Sequence, residues 1–313
     1  MDFETKFYSA GVPLAATVHI PDRDNREIAG RELVKVPDGI ACSTEKYPAV
    51  ILCHGNARHR DDGLDRLAQV LGEKGIASLR FDARGCGKDA PNKYKLRMAT
   101  EMPYDMKCAI DYCESLPFVD RSRIGMSGIS MGGMLTVRSA GGGEMRIKSA
   151  AIMGTTAISA RGRRRRLGDK KFEEIEEMLR EDARITAATG YSRIVNRITF
   201  MGGQNQSVAD ANVLEALMIP ANNAYATLES IRDGNTFNTL KYAKNVRCPI
   251  FVIHGAEDEL VAVSDAYDIF NTIPADNPNK RIRIYEDVDH NIPICKNREI
   301  VFRDIADWFA ETL

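Results

Sequence analysis

A serine with glycines two residues before and two after it stands at Gly128-Ile129-Ser130-Met131-Gly132. The motif lies between an apolar run ending at Met126 and a helical pattern opening at Met131. A serine on a sharp strand-to-helix turn holds its hydroxyl out from a strained backbone, and the crowded flanks of such a turn favour glycine. The helix that follows aims free amides and the positive end of its dipole at whatever the hydroxyl attacks. Ser130 is therefore a candidate nucleophile. The other reading of the motif is a Gly-rich turn that only closes a strand.

An alcohol is a weak nucleophile at neutral pH and needs a base within hydrogen-bond reach, a task that suits histidine. The chain has five histidines. With a serine on such a turn, the acid and then the base follow along the chain, which sets aside His19, His54 and His59. His254 closes the apolar run Ile250 to Ile253 and is expected at a strand's edge. His290, in the loop Glu286 to Asn291 past another apolar run, can reach across to a neighbouring strand end and is the preferred base. Glu257, Asp258 and Glu259 compete for the acid in the loop after Ile253. Asp287 and Asp289 are nearer His290 in sequence, but adjacency along a chain rarely gives side-chain contact. A tetrahedral intermediate also needs two or more amide donors. Met131 N–H supplies one, and His54-Gly55-Asn56-Ala57 should supply another, from Asn56 first and Ala57 second.

The elements that must position these groups alternate between short apolar runs and helical periodicity, the sequence form of βαβ units and a mainly parallel sheet. Strands are expected at Ala49 to Cys53, Ile76 to Phe81, Ile124 to Met126, Ala150 to Met153, Ile250 to Ile253 and Ile282 to Tyr285. Helices are expected at Gly63 to Lys74, Tyr104 to Leu116 and from Met131. A last helix carries Val301, Ile305, Trp308 and Phe309 on one face. Around Phe7 and from Ala15 to Ile20, alternation suits antiparallel edge strands. From 156 to 245 the rhythm stops. A charged helix there sets Phe172, Ile175, Met178 and Leu179 on one side, followed by loop-rich sequence with Met201 and Met218. Residues 1–155 and 246–313 are thus expected to form the core, with 156–245 an inserted cap over the sheet's carboxyl edge.

Composition narrows the classes. At 313 residues the chain can bury a large core, and 43 basic against 44 acidic residues leave a formal charge of -1, which points to neither nucleic acid nor an anionic membrane. The acidic start Met1-Asp2-Phe3-Glu4 and the lack of a long apolar stretch suit a cytoplasmic protein. Seven cysteines without a CxxC pair suit reduced core thiols rather than disulfides or a metal site. Asp82-Ala83-Arg84-Gly85-Cys86-Gly87 lacks the spacing of a dinucleotide loop and reads as a structural turn held by Asp82 and Arg84. The basic run Arg161-Gly162-Arg163-Arg164-Arg165-Arg166 reads as a solvated face paired with Glu173, Glu174, Glu176 and Glu177. Its functional reading is a contact for an anionic substrate group or a phosphate.

Five motifs in order resemble those of the α/β-hydrolase superfamily: His54-Gly55, Asp82 to Gly87, Gly128 to Gly133, Gly255 to Val261 (G-x-x-D-x-x-V) and Asp289-His290. The likeness covers nearly all of the chain outside 156–245. It implies an α/β-hydrolase fold, a mostly parallel central sheet with helices on both faces and an inserted cap. It also places the acid at Asp258, completing a triad with Ser130 and His290. Within the superfamily the chain resembles bacterial carboxylesterases related to cinnamoyl or feruloyl esterases and to the prolyl-oligopeptidase catalytic domain, with a longer and more charged cap. The resemblance implies hydrolysis of small-molecule carboxylic esters through an acyl-enzyme, with no metal or organic cofactor. A thioesterase or acyltransferase, a peptidase or amidase, and a non-catalytic binding protein on the same fold are the rival readings. The acyl and alcohol groups and the oligomeric state are not legible in the sequence.

Overall fold

The structure is a computed structural model describing residues 1–21, 34–35, 41–42, 46–56, 58–87, 90, 95–200 and 225–313. Eight strands form the central sheet: β1 Asp2–Ser9, β2 Val12–His19, β3 Tyr47–Cys53, β4 Ala77–Phe81, β5 Val119–Ile129, β6 Ile147–Met153, β7 Ile250–Gly255 and β8 Lys280–Tyr285. Their spatial order is β1-β2-β4-β3-β5-β6-β7-β8. β2 pairs antiparallel with β1 and β4, and the other pairings are parallel.

In β3, Ala49, Ile51 and Cys53 join the core on one face while Val50 and Leu52 join the core on the other, following the two-residue period of a strand. Because helices cover both faces, such strands read in sequence as unbroken apolar runs. The helices are α1 Leu64–Glu73, α2 Met102–Ser115, α3 Met131–Gly141, α4 Ser159–Leu167, α5 Asp169–Thr189, α6 Leu228–Asn235, α7 Val263–Thr272 and α8 Arg298–Thr312. α1 and α8 cover one face, and α2, α3 and α7 the other. Trp308 of α8 is fully buried and donates its indole N–H to Ala150 O at 3.0 Å, pinning the last helix to β6.

The sheet and its flanking helices follow the sequence expectation, with two differences. β5 begins at Val119, ahead of its apolar run, because Asp120 to Arg123 pass through exposed positions at its entry. α7 gave no clear apolar stripe, since its buried face mixes Ala266 and Ile269 with a fully buried Asp265.

Between β6 and β7 no described residue joins the sheet. α4, α5, α6 and a short antiparallel ladder of Ile194–Asn196 with Tyr225–Thr227 occupy the interval. Ile175 and Leu179 pack there with Phe200, Leu228 and Ile231 in a separate cluster, with Met178 against it. Met201 and Met218 lie outside the described residues. Since β3 to β8 are parallel, the loops carrying the five motifs leave the sheet at one edge, the place where open parallel sheets bind ligands.

Candidate active site

β5 ends at Ile129 and α3 begins at Met131, so Ser130 alone makes the turn. Its φ of 52° and ψ of -113° lie where an L side chain is strained. A Cβ at Gly128 would sit 2.3 Å from the carbonyl of Gly132, and one at Gly132 would sit 2.2 Å from Cys53 O. The start of α3 thus presses against β5 and the end of β3 at a distance only glycine permits. The turn is tied by Ser130 N–H to Met153 O (2.8 Å) and Met134 N–H to Ser130 O (3.0 Å). Met131 N–H belongs to the first helical turn, whose amides lack intrahelical acceptors.

β7 and β8 lie side by side, with Gly255 opposite Tyr285. The loops beyond them therefore start level and meet. Asp258 is buried, and its Oδ1 accepts from Leu260 N–H (2.9 Å) and Val261 N–H (2.7 Å). Its Oδ2 lies 2.7 Å from His290 Nδ1. A carboxylate only accepts, so Nδ1 carries the proton and Nε2 keeps its lone pair. Gly154, at φ 51°, makes room for this pair: a Cβ there would lie 3.3 Å from Asp258 Oδ2 and 3.4 Å from His290 Nδ1. Nothing in the sequence pattern singled out Gly154.

His254, the rival base, is fully buried behind Asp258, with Nε2 2.9 Å from Val261 O and 3.3 Å from Asp258 Oδ2. Burial holds its pKa below the ordinary value. Its Nδ1 has no partner among the described residues. It braces the acid loop and does not face the serine's cavity. Of the rival acids, Glu257 and Glu259 are exposed, and Asp289 Oδ1 accepts from Asn291 N–H.

The loop after β3 passes beside the serine. A Cβ at Gly55 would lie 3.7 Å from Ser130 Cβ. His54 fastens this loop to the one after β4, since its Nε2 accepts from Ala83 N–H (2.9 Å) and its Nδ1 donates to Gly55 O (2.7 Å). Burial pushes its pKa down, in keeping with a neutral ring. Asn56 follows at the cavity wall, where its Oδ1 accepts from Arg197 Nη1 at 3.0 Å. Ala57 lies outside the described residues. Asp82 accepts from Arg60 N–H and Nη1, while Arg84 pairs with the buried Asp105 at 2.7 Å and with Glu101. Those contacts suit the structural turn expected of Asp82 to Gly87.

Comparison with known proteins fits this arrangement. The family model Hydrolase_4, described as serine aminopeptidase, S33, matches residues 44–294. The chain belongs to that family. Its sheet and helices are those of the α/β-hydrolase fold. This serine hydrolase is 25% identical over 284 residues to the uncharacterized protein YcjY of Escherichia coli strain K12, covering 86% of this chain and 90% of that one. It is 34% identical over 114 residues to an uncharacterized 31.7 kDa protein of the traX-finO intergenic region of Escherichia coli. That match takes in 36% of this chain and 38% of the relative, little more than a third of the relative's length. Among solved structures it is similar to Est1E from Butyrivibrio proteoclasticus with ferulic acid bound, at TM-score 0.69 and 18% identity, covering 98% of each chain.

Two cavities of this hydrolase share Asn56, Ser130, Leu260 and His290. One extends past Asn291 and Pro293. The other runs under α4 and α6 and takes Met131, Met134 and Ile231, together with Arg163, Arg166 and Arg197, into its wall. The basic run is therefore not one solvated face. Arg164 alone follows that expectation, pairing with Glu173 and also with Asp169. Arg161 pairs with Asp265 (2.5 Å) and Asp268 (2.6 Å), and Arg165 reaches Asp265 at 3.2 Å. Arg163 and Arg166 turn inward. The helix explains the split, because 161 and 165 share one side of α4 while 163 and 166, three apart, share another. Arg197 was not singled out in the sequence. Among the described residues, no group of three or more His, Cys, Asp or Glu is placed to hold a metal ion, and no helix is long and apolar enough to cross a membrane.

Proposed function

We propose that this hydrolase cleaves carboxylic esters through an acyl-enzyme, with Ser130 as nucleophile, His290 as base and Asp258 as the acid that orients it. The observation that carries the reading is the pairing of a strained, outward Ser130 with the Asp258–His290 hydrogen bond of 2.7 Å at the wall of one cavity. His290 Nε2 takes the Ser130 proton as Oγ attacks the carbonyl. The amides of Met131 and Asn56 hold the oxyanion, and the alcohol leaves with the proton from His290. Water, activated by the same imidazole, then adds to the acyl-enzyme and releases the acid. Within the expected cap, the described residues 156–200 and 225–245 wall part of the substrate cavity.

The family's description raises peptide cleavage from a free amino terminus as a second reading. The cavity lining argues against it. An α-ammonium needs a carboxylate or comparable acceptors, whereas the described charged residues of the cavity under α4 and α6 are arginines, and Asp62 at the wall of the other cavity accepts from His59 N–H. The likeness to Est1E is in keeping with an ester. Labelling with a fluorophosphonate probe tests the nucleophile: wild type should label and Ser130→Ala should not, and equal labelling of the two overturns the assignment.

A further inference from the structure

Three guanidinium groups line one small cavity beside Ser130, and no described carboxylate lines it with them. Arg197 is 4% exposed; one terminal nitrogen is used on Asn56, and its Nε has no partner among the described residues. On Arg163, Nε and Nη1 are both buried and without a partner among the described residues. Arg166 gives Nη1 to Leu260 O at 2.7 Å. The nearby acids are engaged elsewhere: Asp265 holds Arg161 and Arg165, and Glu176 accepts from Asn235 Nδ2 at 2.8 Å. Burial draws all three arginines down to about 10; repulsion from Arg166 adds to this at Arg163, and repulsion from Arg165 adds to it at Arg166, where Asp258 and Asp265 act against it. Arg163 and Arg197 thus keep buried donors with no carboxylate partner among the described residues, a costly arrangement that a fold keeps where an anion arrives to meet it.

This inference rests on the acyl-enzyme reading and names its substrate class. We propose that the acyl group delivered to Ser130 carries a second, uncleaved carboxylate, seated on Arg163 and Arg197, so that the preferred substrates are half-esters of dicarboxylic acids. The acyl side follows from the two cavities. The arginine cavity holds Met131, whose amide the acyl-enzyme reading sets on the oxyanion, along with the apolar Met134 and Ile231, which suit a methylene chain. The other cavity continues from His290 into Asn291 and Pro293, the side on which the base hands its proton to the departing alcohol. Guanidinium planes match a carboxylate in paired hydrogen bonds, and the unspent Nε and Nη1 atoms of Arg163 are the donors such a pairing would use.

The test compares 4-nitrophenyl half-esters of glutaric, adipic and suberic acid with 4-nitrophenyl esters of equal length ending in a neutral carboxamide, with the uncatalysed rates subtracted. At the best length, kcat/KM should favour the carboxylate by about tenfold or more. Arg163→Gln should collapse that ratio towards one, while Arg164→Gln, on the outer side of α4, should keep it. Because the readout is a ratio within one sample, partial unfolding of a variant cannot mimic it. A second arm needs no turnover: Ser130→Ala is titrated calorimetrically with monomethyl adipate and with its carboxamide counterpart, and only the acid should bind, with affinity lost on adding Arg163→Gln. Equal rates at every length, or a ratio unmoved by Arg163→Gln, overturn the proposal while leaving Ser130 labelling intact. If labelling itself is indifferent to Ser130→Ala, the acyl-enzyme reading fails, and the calorimetric arm still decides whether the cavity takes a carboxylate.

Discussion

Replacing Asp258 by asparagine keeps the shape of the side chain and removes its charge, and the loop dictates which way the amide must face. Oδ1 of Asp258 accepts two backbone N–H groups, from Leu260 and Val261. An asparagine that turned its NH2 toward them would set donor against donor twice, at about 1–3 kcal/mol for each buried group left unsatisfied. The carbonyl oxygen therefore stays on the loop, and the NH2 takes the place of Oδ2, 2.7 Å from His290 Nδ1. Nδ1 must then accept, the proton moves to Nε2, and the nitrogen meant to receive the Ser130 proton is already protonated. Loss of the correct tautomer lowers kcat by about four orders of magnitude, or roughly 5.4 kcal/mol of transition-state stabilisation. His254 Nε2, 3.3 Å from the same oxygen, would face the new NH2 as a second donor and makes the variant less comfortable still. Steady-state kinetics on an activated ester read the effect, with circular dichroism as the check on folding. A folded Asp258→Asn protein whose kcat stays within about tenfold of wild type refutes the tautomer argument and moves the orienting role to another residue.

Two other outcomes test the frame around the site. Gly132→Ala places a methyl 2.2 Å from Cys53 O, a backbone atom that cannot step aside. Unfolding in urea should show a loss of at least about 2 kcal/mol, and an unchanged midpoint would mean that α3 does not press on β3. His54 and His254, both depressed from the ordinary 6.5 chiefly by burial, take up their protons only on unfolding. Stability should therefore be full above pH 6.5 and fall as the pH drops through the window below it. Denaturation at neutral pH and one to two units lower measures this, and a flat or rising stability contradicts it.

The legible part of this protein is the part where chemistry and local conformation share a few adjacent residues. Ser130 could be found because the turn that exposes it also demands Gly128 and Gly132, so backbone strain is written into the letters beside the proposed nucleophile. The sheet was readable because strands buried on both faces must be apolar throughout. The choice of Asp258 over Glu257 and Glu259 needed the resemblance, since three neighbouring acids differ only in which one the loop amides turn inward.

What escaped the sequence reading depends on contacts made far along the chain. Gly154 matters because β6 ends beneath the Asp258–His290 pair, a fact with no local signature. Arg197 stands alone in loop-rich sequence, and only its burial against Asn56 marks it. The basic run hid its organisation differently. Five arginines in six positions look uniform as composition, yet on a helix two of them must face α7, whose buried Asp265 neutralises that side. Arg163 and Arg166 then fall on the remaining inward side, above Ser130. A charged stretch thus acquires a direction once its period is known, and here the direction separates the arginines that hold α4 to the core from Arg163, whose Nε and Nη1 have no partner among the described residues at the cavity wall.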